Sequence, residues 1–183
     1  MLGAAVDLFT EHGIGATSMA TIAKRAGVGL SSIYLHFASK EALVDAIVGD
    51  ALMRHETAFS RAEGFGPLAE LQAFGEAFVA FAAAEPAAAR AISVYGTEPD
   101  RESGTAAQGF LDGAVDRVEA VVRELIAEDR LGASDRPAAT ALMVAVILGL
   151  GDQVSRTDGL GIHVDVAQAA LGLVARSPSA RGS

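Results

Sequence analysis

The sequence predicts an all-α protein of about nine helices, with an N-terminal head of three helices over residues 1–45 and a helical body over residues 46–183. Apolar residues recur at intervals of three and four through most of the chain, which is the spacing of one face of an α-helix. Glycine and proline interrupt this spacing at positions typical of helix ends. The sequence contains neither the alternating pattern of a strand nor an internal repeat.

The head begins with a helix over residues 2–12, and a second helix ends at Gly27, where a left-handed backbone costs glycine little. A short third helix over residues 30–37 presents small polar side chains, and Ser39 caps the helix that follows. Two helices joined by a tight turn, the second with a polar exposed face, are typical of a helix-turn-helix that reads DNA.

The body contains six further helical patterns. They cover residues 40–62, 68–84, 86–95, 106–130, 136–157 and 164–175. A loop is predicted over residues 96–104 and a disordered tail over residues 177–183. Residues 141–151 are apolar all round, so this helix is expected to be buried on more than one side.

Composition narrows the class of protein. Hydrophobic residues make up 51% of the 183, which is ample for a core, and the absence of cysteine excludes disulfides and thiolate metal sites. No basic leader precedes the first helix, and the apolar run over residues 141–151 is shorter than the roughly 18 residues of a membrane span. We therefore expect a soluble, cytoplasmic protein without a membrane partner.

Charge is distributed unevenly along the chain. Residues 1–45 hold three Lys or Arg against four Asp or Glu, a net charge of −1, so the remaining residues carry −8 of the total −9. Phosphates would repel such an acidic body, so only the head could approach DNA. The hypothesis is that the body orients the head.

The head contains a series of residues at characteristic spacing. They are Leu8-Phe9, Gly13, Thr17, Ile22-Ala23, Ala26-Gly27-Val28, Ile33-Tyr34, His36-Phe37 and Ser39-Lys40-Glu41-Ala42-Leu43. This order resembles the DNA-binding head of TetR-family (tetracycline-repressor-like) transcriptional regulators, over about the first quarter of the chain. The resemblance implies a nine-helix architecture, a double-stranded operator as partner, a small-molecule effector bound in the body and a homodimer.

Contacts with the DNA backbone are expected from four residues. The resemblance implies that Tyr34 and Lys40 grip phosphates, the lysine beside helix-end amides that themselves attract anions. Thr17 and Ser18 are expected to cap the second helix and also to contact phosphate. For Tyr34 and Lys40, the alternative is that neither contacts DNA: Tyr34 would lie at the edge of the core, and Lys40 would be an ordinary surface lysine.

Base edges are expected to meet the third helix. Ser31 and Ser32 carry hydroxyls that donate or accept, and Leu35 could contact a thymine methyl. Leu30 stands where related sequences often have a lysine, which removes a charge from this helix. His36 faces a phosphate or fills the helix end, and the sequence does not choose between these. The short, often basic arm that usually precedes the first helix is also missing, so the true start lies upstream or these phosphate contacts are absent.

Aromatic residues gather on the body helices that, in the resemblance, enclose an effector pocket. They are Phe74, Phe78, Phe81, Tyr95 and Phe110, with Arg90, Tyr95 and Gln108 as candidate polar anchors for an apolar small molecule. The alternative is that these phenylalanines are plain core.

The last two helices are expected to form the dimer interface, as a four-helix bundle with a second copy. Ala138, Ala141, Ala145 and Gly149 place small residues along one edge, where another backbone could approach closely. The alternative is an internal core helix.

Catalysis has little support in the sequence. The four histidines stand apart without metal-ligand spacing, and neither a nucleophile motif nor a phosphate-binding glycine loop occurs. We expect no enzyme, no cofactor and no metal. The function predicted is a ligand-responsive repressor. The alternative is a ligand-binding or interaction protein that keeps this fold without specific DNA binding.

Overall fold

The computed structural model describes residues 1–60, 66–95 and 105–156. These residues form nine α-helices and no strand, which confirms the all-α prediction. The helices are α1 (Leu2–His12), α2 (Met19–Ala26), α3 (Leu30–His36), α4 (Lys40–Arg54), α5 (Glu56–Phe59), α6 (Pro67–Ala84), α7 (Pro86–Tyr95), α8 (Thr105–Ala127) and α9 (Arg136–Arg156). A 3₁₀ turn over Ala133–Asp135 precedes α9.

Local chemistry explains several of these helix ends. Gly27 follows α2 in the left-handed region (φ 69°), and its N–H donates to the carbonyls of Ala23 and Lys24. Ser39 caps α4 by accepting a hydrogen bond from the Ala42 N–H at 3.1 Å. Pro67 begins α6, where its missing N–H costs nothing.

The prediction of one continuous helix over residues 40–62 is wrong. Helix α4 ends at Arg54, the backbone leaves the helical region at His55 (φ −110°, ψ 14°), and the four-residue α5 follows. The Phe59 ring of α5 packs on aromatic residues of α6 and α8. Packing between distant segments thus overrides the local helical pattern.

Helix α8 ends at Ala127, three residues before its predicted end. Asp129 takes a left-handed conformation (φ 56°), and the N–H groups of Arg130 and Leu131 both donate to the Leu125 carbonyl, which closes the helix. The predicted loop 96–104, helix 164–175 and tail 177–183 lie outside the described residues.

One continuous set of buried side chains joins head and body. Phe9, Ile22, Ile33 and Leu43 are buried to 1% exposure or less in the head. Helix α4 runs from there to contact α7 and α8, and α1 also contacts α7. The head therefore rests against the body through α1 and α4.

Helix α9 packs against α6, α7 and α8, with Met143, Ile147 and Val154 facing inward. Its other side is exposed, and Leu142 there is 66% exposed. The described residues of one chain therefore cover only one side of α9, and cover of the other side by a second copy stays a prediction. The segment Ala133–Val154 (mean hydropathy 1.5) is also long and apolar enough to cross a membrane, as the core helices of globular proteins often are. The prediction that the apolar run in this helix is too short to span a membrane is therefore wrong.

Candidate functional sites

In the α2–turn–α3 segment, helix α3 is anchored by one buried residue and is otherwise exposed to solvent. Ile33 is fully buried, whereas Leu30, Tyr34 and Leu35 of the same short helix are 43%, 51% and 85% exposed. Ser31 and His36 are also exposed, and Ser32 is half-buried. The residues predicted to meet bases or phosphates thus lie on the outward surface of α3, while their roles remain predictions.

Ser18 is the N-cap of α2. Its hydroxyl oxygen accepts a hydrogen bond from the Thr21 N–H at 3.1 Å and lies 2.8 Å from the Thr21 hydroxyl. Because Ser18 is exposed, its position is compatible with a phosphate contact.

Thr17 does not have the predicted position. Its side chain is 3% exposed, and its hydroxyl donates to the Gly13 carbonyl at 2.9 Å, with the Leu8 carbonyl 3.4 Å away. The expected cap role is wrong, because Ser18 supplies the cap. The Thr17 hydroxyl instead joins the end of α1 to the start of α2, and it is not turned toward solvent where a phosphate would lie.

Lys40 begins α4 beside the turn between α1 and α2. Its ammonium donates to the Ile14 carbonyl at 3.0 Å and to the Thr17 carbonyl at 3.3 Å. Two of its three N–H donors are thereby directed into the protein, and the third can serve a phosphate. The side chain is half-buried, so its charge is held at a fixed point on the head.

Arg25 is paired within the head. Its guanidinium donates to both carboxylate oxygens of Glu11, at 3.1 and 2.8 Å. This hydrogen-bonded pair lowers the pKa of the Glu11 carboxyl and raises that of Arg25. The head's three cations are therefore not equivalent toward DNA, because the charge of Arg25 is locally neutralised. Because Glu11 and Arg25 are 14 residues apart in the chain, no local sequence pattern indicated that they would pair.

The predicted aromatic residues of α6 and α8 meet in the body. Ring centroids of Phe74 and Phe78 lie 5.4 and 5.2 Å from that of Phe110, and those of Phe78 and Phe81 are 6.1 Å apart. Phe59 completes the group, although the continuous helix predicted over residues 40–62 gave no reason to include it. We call Phe59, Phe74, Phe78, Phe81 and Phe110 the five-phenylalanine cluster.

Arg117 is the polar residue at this cluster that the sequence analysis missed. Its guanidinium carbon lies 4.6 Å from the Phe74 ring centroid, and it donates to the Phe59 carbonyl at 3.0 Å and the Gly113 carbonyl at 2.9 Å. A Cβ on Gly113 would approach the guanidinium to 3.3 Å, so this glycine provides its space. Glycine and arginine four residues apart on a helix are common, so the sequence did not indicate that Arg117 would lie at this cluster.

The three residues predicted as polar anchors for the effector differ in burial and in the helix that carries them. Tyr95 is buried at the end of α7, and Arg90 is half-buried on the same helix. Gln108 is exposed, and its side-chain amide donates to Asp112 one turn along α8 at 3.0 Å. Its prediction as a pocket anchor is therefore contradicted by its position on the surface.

The predicted dimer residues Ala138, Ala141, Ala145 and Gly149 are all exposed along one edge of α9. Beside this edge, a groove of about 630 Å³ runs between α8 and α9. Its apolar lining includes Val115 and Val144, and an ion pair of Arg136 with Glu119 at 2.8 Å lies along it. Across the described ranges, no group of His, Asp or Glu is arranged to hold a metal ion.

Comparisons with known proteins agree with this geometry. Residues 1–47 match the family described as bacterial regulatory proteins, tetR family. The transcriptional regulator UidR of Escherichia coli K12 is 39% identical over 61 residues, which are 33% of this chain and 30% of UidR. The repressor KstR2 of Rhodococcus jostii is 46% identical over 48 residues, 26% of this chain and 24% of KstR2. The aligned regions thus span less than a third of these relatives.

Solved structures share the fold over nearly the whole chain. FadR of Bacillus subtilis, in complex with stearoyl-CoA, aligns with a TM-score of 0.67 at 20% identity over 97% of both chains. AibR, in complex with isovaleryl-CoA and operator DNA, aligns at 0.70 and 18% identity over 94% of both. A TetR-like regulator from Rhodococcus sp. RHA1 aligns at 0.63 and 25% identity over 95% of this chain and 90% of that one.

A helix-turn-helix head on an all-α body is the architecture of these DNA-binding regulators. Over residues 1–47 the chain matches the tetR family of bacterial regulatory proteins, and over nearly its whole length it shares the fold of a solved tetR-like regulator.

Proposed function

We propose that this protein is a ligand-responsive transcriptional repressor that binds operator DNA as a homodimer in the cytoplasm. The observation that carries the proposal is the α2–turn–α3 segment, in which a buried Ile33 fixes a helix whose other side is open to solvent. The proposed DNA-binding domain covers residues 1–45, and residues 46–183 form the ligand-binding and dimerisation domain.

On DNA, residues 30–36 would lie in the major groove. Ser31, Ser32 and Leu35 would face base edges, while Ser18, Tyr34 and Lys40 would hold the phosphates on either side. Two heads in a symmetric dimer would read half-sites about 34–36 Å apart. With few cations on this surface, hydroxyls and backbone amides would supply much of the contact.

Release from DNA would begin in the body. Helix α4 is attached to the body near its middle, where the Asp45 carboxylate accepts a hydrogen bond from the Ala106 N–H at 2.9 Å, and at its end, where Arg54 pairs with Glu85 at 2.9 Å. A ligand that shifts the body helices would tilt α4 and change the spacing of the heads. A preference of a few kcal/mol for the shifted state is enough to empty the operator.

The effector is proposed to be a small molecule with an apolar body, as the five-phenylalanine cluster suggests. Two structures of the same fold hold acyl-CoA thioesters, FadR with stearoyl-CoA and AibR with isovaleryl-CoA. This likeness supports a search that begins with acyl compounds.

The test is a fluorescence-anisotropy titration with the DNA that flanks the protein's own gene, against scrambled DNA of the same length. We expect tighter binding to one flanking segment, weakened by salt and abolished by Leu35→Glu, which adds a negative charge to the outward surface of α3. Lys24→Met, on the exposed side of α2, changes the net charge by the same single unit and is the matched control. Uniform, weak binding to all DNA would overturn the proposal and favour the ligand-binding alternative.

A further inference from the structure

The exposed surface of α3 and of the turn before it is unusually apolar. Eight large hydrophobic side chains are exposed in the described residues, and four of them lie within eight consecutive positions: Val28, Leu30, Tyr34 and Leu35. Leu35 is the most exposed of the eight, at 85%. One exposed leucine is ordinary in a folded protein, but several apolar side chains on one short segment indicate a surface that contacts another molecule.

The geometry of α3 directs two of its residues straight away from the protein. At about 100° per residue, Ser31 and Leu35 both lie within about 20° of the direction opposite the buried Ile33. They are one turn apart, about 6 Å along the helix axis. If α3 lies in a major groove, Ser31 and Leu35 therefore reach deepest toward the base edges.

The composition of this segment excludes the usual means of base recognition. Bidentate hydrogen bonds to purines come from Arg, Lys, Asn or Gln, and cytosine is recognised by Asp or Glu. None of these six residue types occurs in residues 28–37. Serine hydroxyls donate or accept, so they discriminate only weakly between bases. An apolar side chain is more selective, because the C5-methyl of thymine is the one methyl group that unmodified base pairs present in the major groove.

The surroundings of this apolar surface favour DNA over a protein as its partner. The head that carries it matches the tetR family of bacterial regulatory proteins over residues 1–47. Lys40 holds its ammonium at a fixed point of the same head, 3.0 Å from the Ile14 carbonyl, and Lys24 is exposed on α2. Cations beside an outward helix suit a polyanion.

We propose that Leu35 is a specificity-determining residue that recognises the C5-methyl group of thymine. Each operator half-site holds at least one T·A pair whose methyl group contacts Leu35, and the preference for this pair rests on the methyl group rather than on a hydrogen bond. The inference rests on the proposed function, since it names the bases that the same helix recognises.

Uracil substitution in the operator tests the methyl contact directly. Deoxyuridine pairs as thymidine does and lacks only the C5-methyl group, so the hydrogen-bonding groups are retained. Each thymine is replaced in turn, in both half-sites together, and affinity is measured by fluorescence anisotropy. At one or two positions per half-site, binding should weaken by roughly threefold to tenfold for each methyl group lost, while thymines outside the half-sites should have no effect.

Methylated cytosine separates the methyl group from the hydrogen bonds of its base. Replacing the sensitive T·A pair by C·G should weaken binding, because both the methyl group and the hydrogen-bonding pattern change. Placing 5-methylcytosine there instead of cytosine should restore part of the affinity, since it returns the methyl group alone.

Leu35→Ala is the corresponding change in the protein. Alanine keeps the helix and removes the apolar contact from an exposed position, so the variant should fold. It should bind the thymine operator more weakly and no longer distinguish thymine from uracil at the sensitive position, which is the coupling expected of two groups in contact. Met53→Ala is the matched control, because Met53 is 70% exposed on α4 outside the head, and it should keep both properties.

Equal affinity for thymine and uracil at every position would overturn the inference. A preference for thymine that survives in Leu35→Ala, or one that is lost equally in Met53→Ala, would also overturn it. In each of these cases specific operator binding remains, so the proposed function stands. Absence of any specific DNA binding by the parent protein would overturn both, and a protein partner would then be the better candidate for the apolar surface.

Discussion

Lys40 lies where the packing of the head meets its proposed DNA-facing surface. Its ammonium holds the turn between α1 and α2 through the Ile14 and Thr17 carbonyls, and it remains at the N-terminus of α4, where amides attract anions. Replacing it with Met would remove the proposed phosphate contact, so the slope of log K against log salt should fall by roughly 0.9. The measurement is operator anisotropy over a range of salt concentrations.

Lys24→Met is the comparison for this prediction, because it removes an equal charge from the exposed side of α2. An equal change of slope in both variants would mean that long-range charge, and not a contact of Lys40, controls binding. Thermal melts of both proteins are needed as well, since loss of the two carbonyl hydrogen bonds should destabilise Lys40→Met by about 1 kcal/mol.

The Glu11–Arg25 pair makes a prediction about pH. Arg25 lowers the pKa of the Glu11 carboxyl below its ordinary value of 4.5. A lowered folded-state pKa stabilises the protein above the ordinary value, and this contribution is lost as pH falls through the lowered one. In Arg25→Gln, the melting temperature should therefore fall relative to the parent at neutral pH, and the difference should shrink in acid below pH 4.5. A difference independent of pH would contradict the pair's role.

At the scale of helices, the packing of α9 on α6 depends on Gly151. A Cβ there would overlap the Phe78 ring, whereas one at Gly149 would meet no described atom within 4 Å. Gly151→Ala should destabilise the chain by about 1–3 kcal/mol, because the fully buried Phe78 ring must move. Gly149→Ala, the matched control, should be neutral or stabilising by up to about 1 kcal/mol, from helix propensity. Urea unfolding distinguishes the two, and equal effects would refute the packing argument.

The joint between α4 and α8 depends on Asp45. Its carboxylate accepts from the Ala106 N–H at the start of α8, and Gly49, one turn further along α4, lies 3.8 Å from the Ala106 methyl when given a Cβ. Asp45→Ala should cost about 0.5–2 kcal/mol as a lost helix cap and weaken the response of DNA binding to ligand. Asp112→Ala, an exposed carboxylate on α8, is the control. Unchanged stability in Asp45→Ala would show that the cap contributes little.

The sequence predicted the features that local chemistry controls. Gly27, Ser39 and Pro67 end or begin helices through their own backbone and side-chain preferences, and each does so in the structure. It did not predict the helix break at His55 or the hydrogen bond from Arg117 to Phe59. These features depend on packing between segments far apart in the chain, which no local pattern records.

The same distinction applies within the candidate sites. Because Ile33 was predicted to face the core, Tyr34 and Leu35 beside it were predicted to face outward. Their exposure on α3 was therefore predictable from the sequence. The burial of Thr17 was not, because the carbonyl that it reaches belongs to Gly13, four residues back, at the end of another helix. A Thr-Ser pair before a helix provides two possible caps, and only the fold selects Ser18.

For the whole molecule, we propose that the exposed edge of α9 is the surface that a second copy covers. Ala138, Ala141, Ala145 and Gly149 lie there beside the 66% exposed Leu142, so a large apolar side chain projects next to a row of small ones. In a symmetric dimer each copy would present both features to the other, which is the condition for a closed isologous interface. In a monomer this apolar strip would stay in contact with water, which is unfavourable in free energy. Burial of the strip in a dimer would remove that cost.

Gly149→Trp tests this arrangement, because a Cβ at this position would meet no described atom within 4 Å of its own chain, and the indole beyond it would hold two backbones apart. Light scattering coupled to size-exclusion chromatography should show the mass of a single 18.6 kDa chain for Gly149→Trp and twice that mass for the parent and for Gly149→Ala. Operator affinity should fall with the mass, since one head alone cannot span two half-sites. A Gly149→Trp protein that keeps the doubled mass would place the dimer interface on another surface, and the half-site spacing would then have to be derived from that surface.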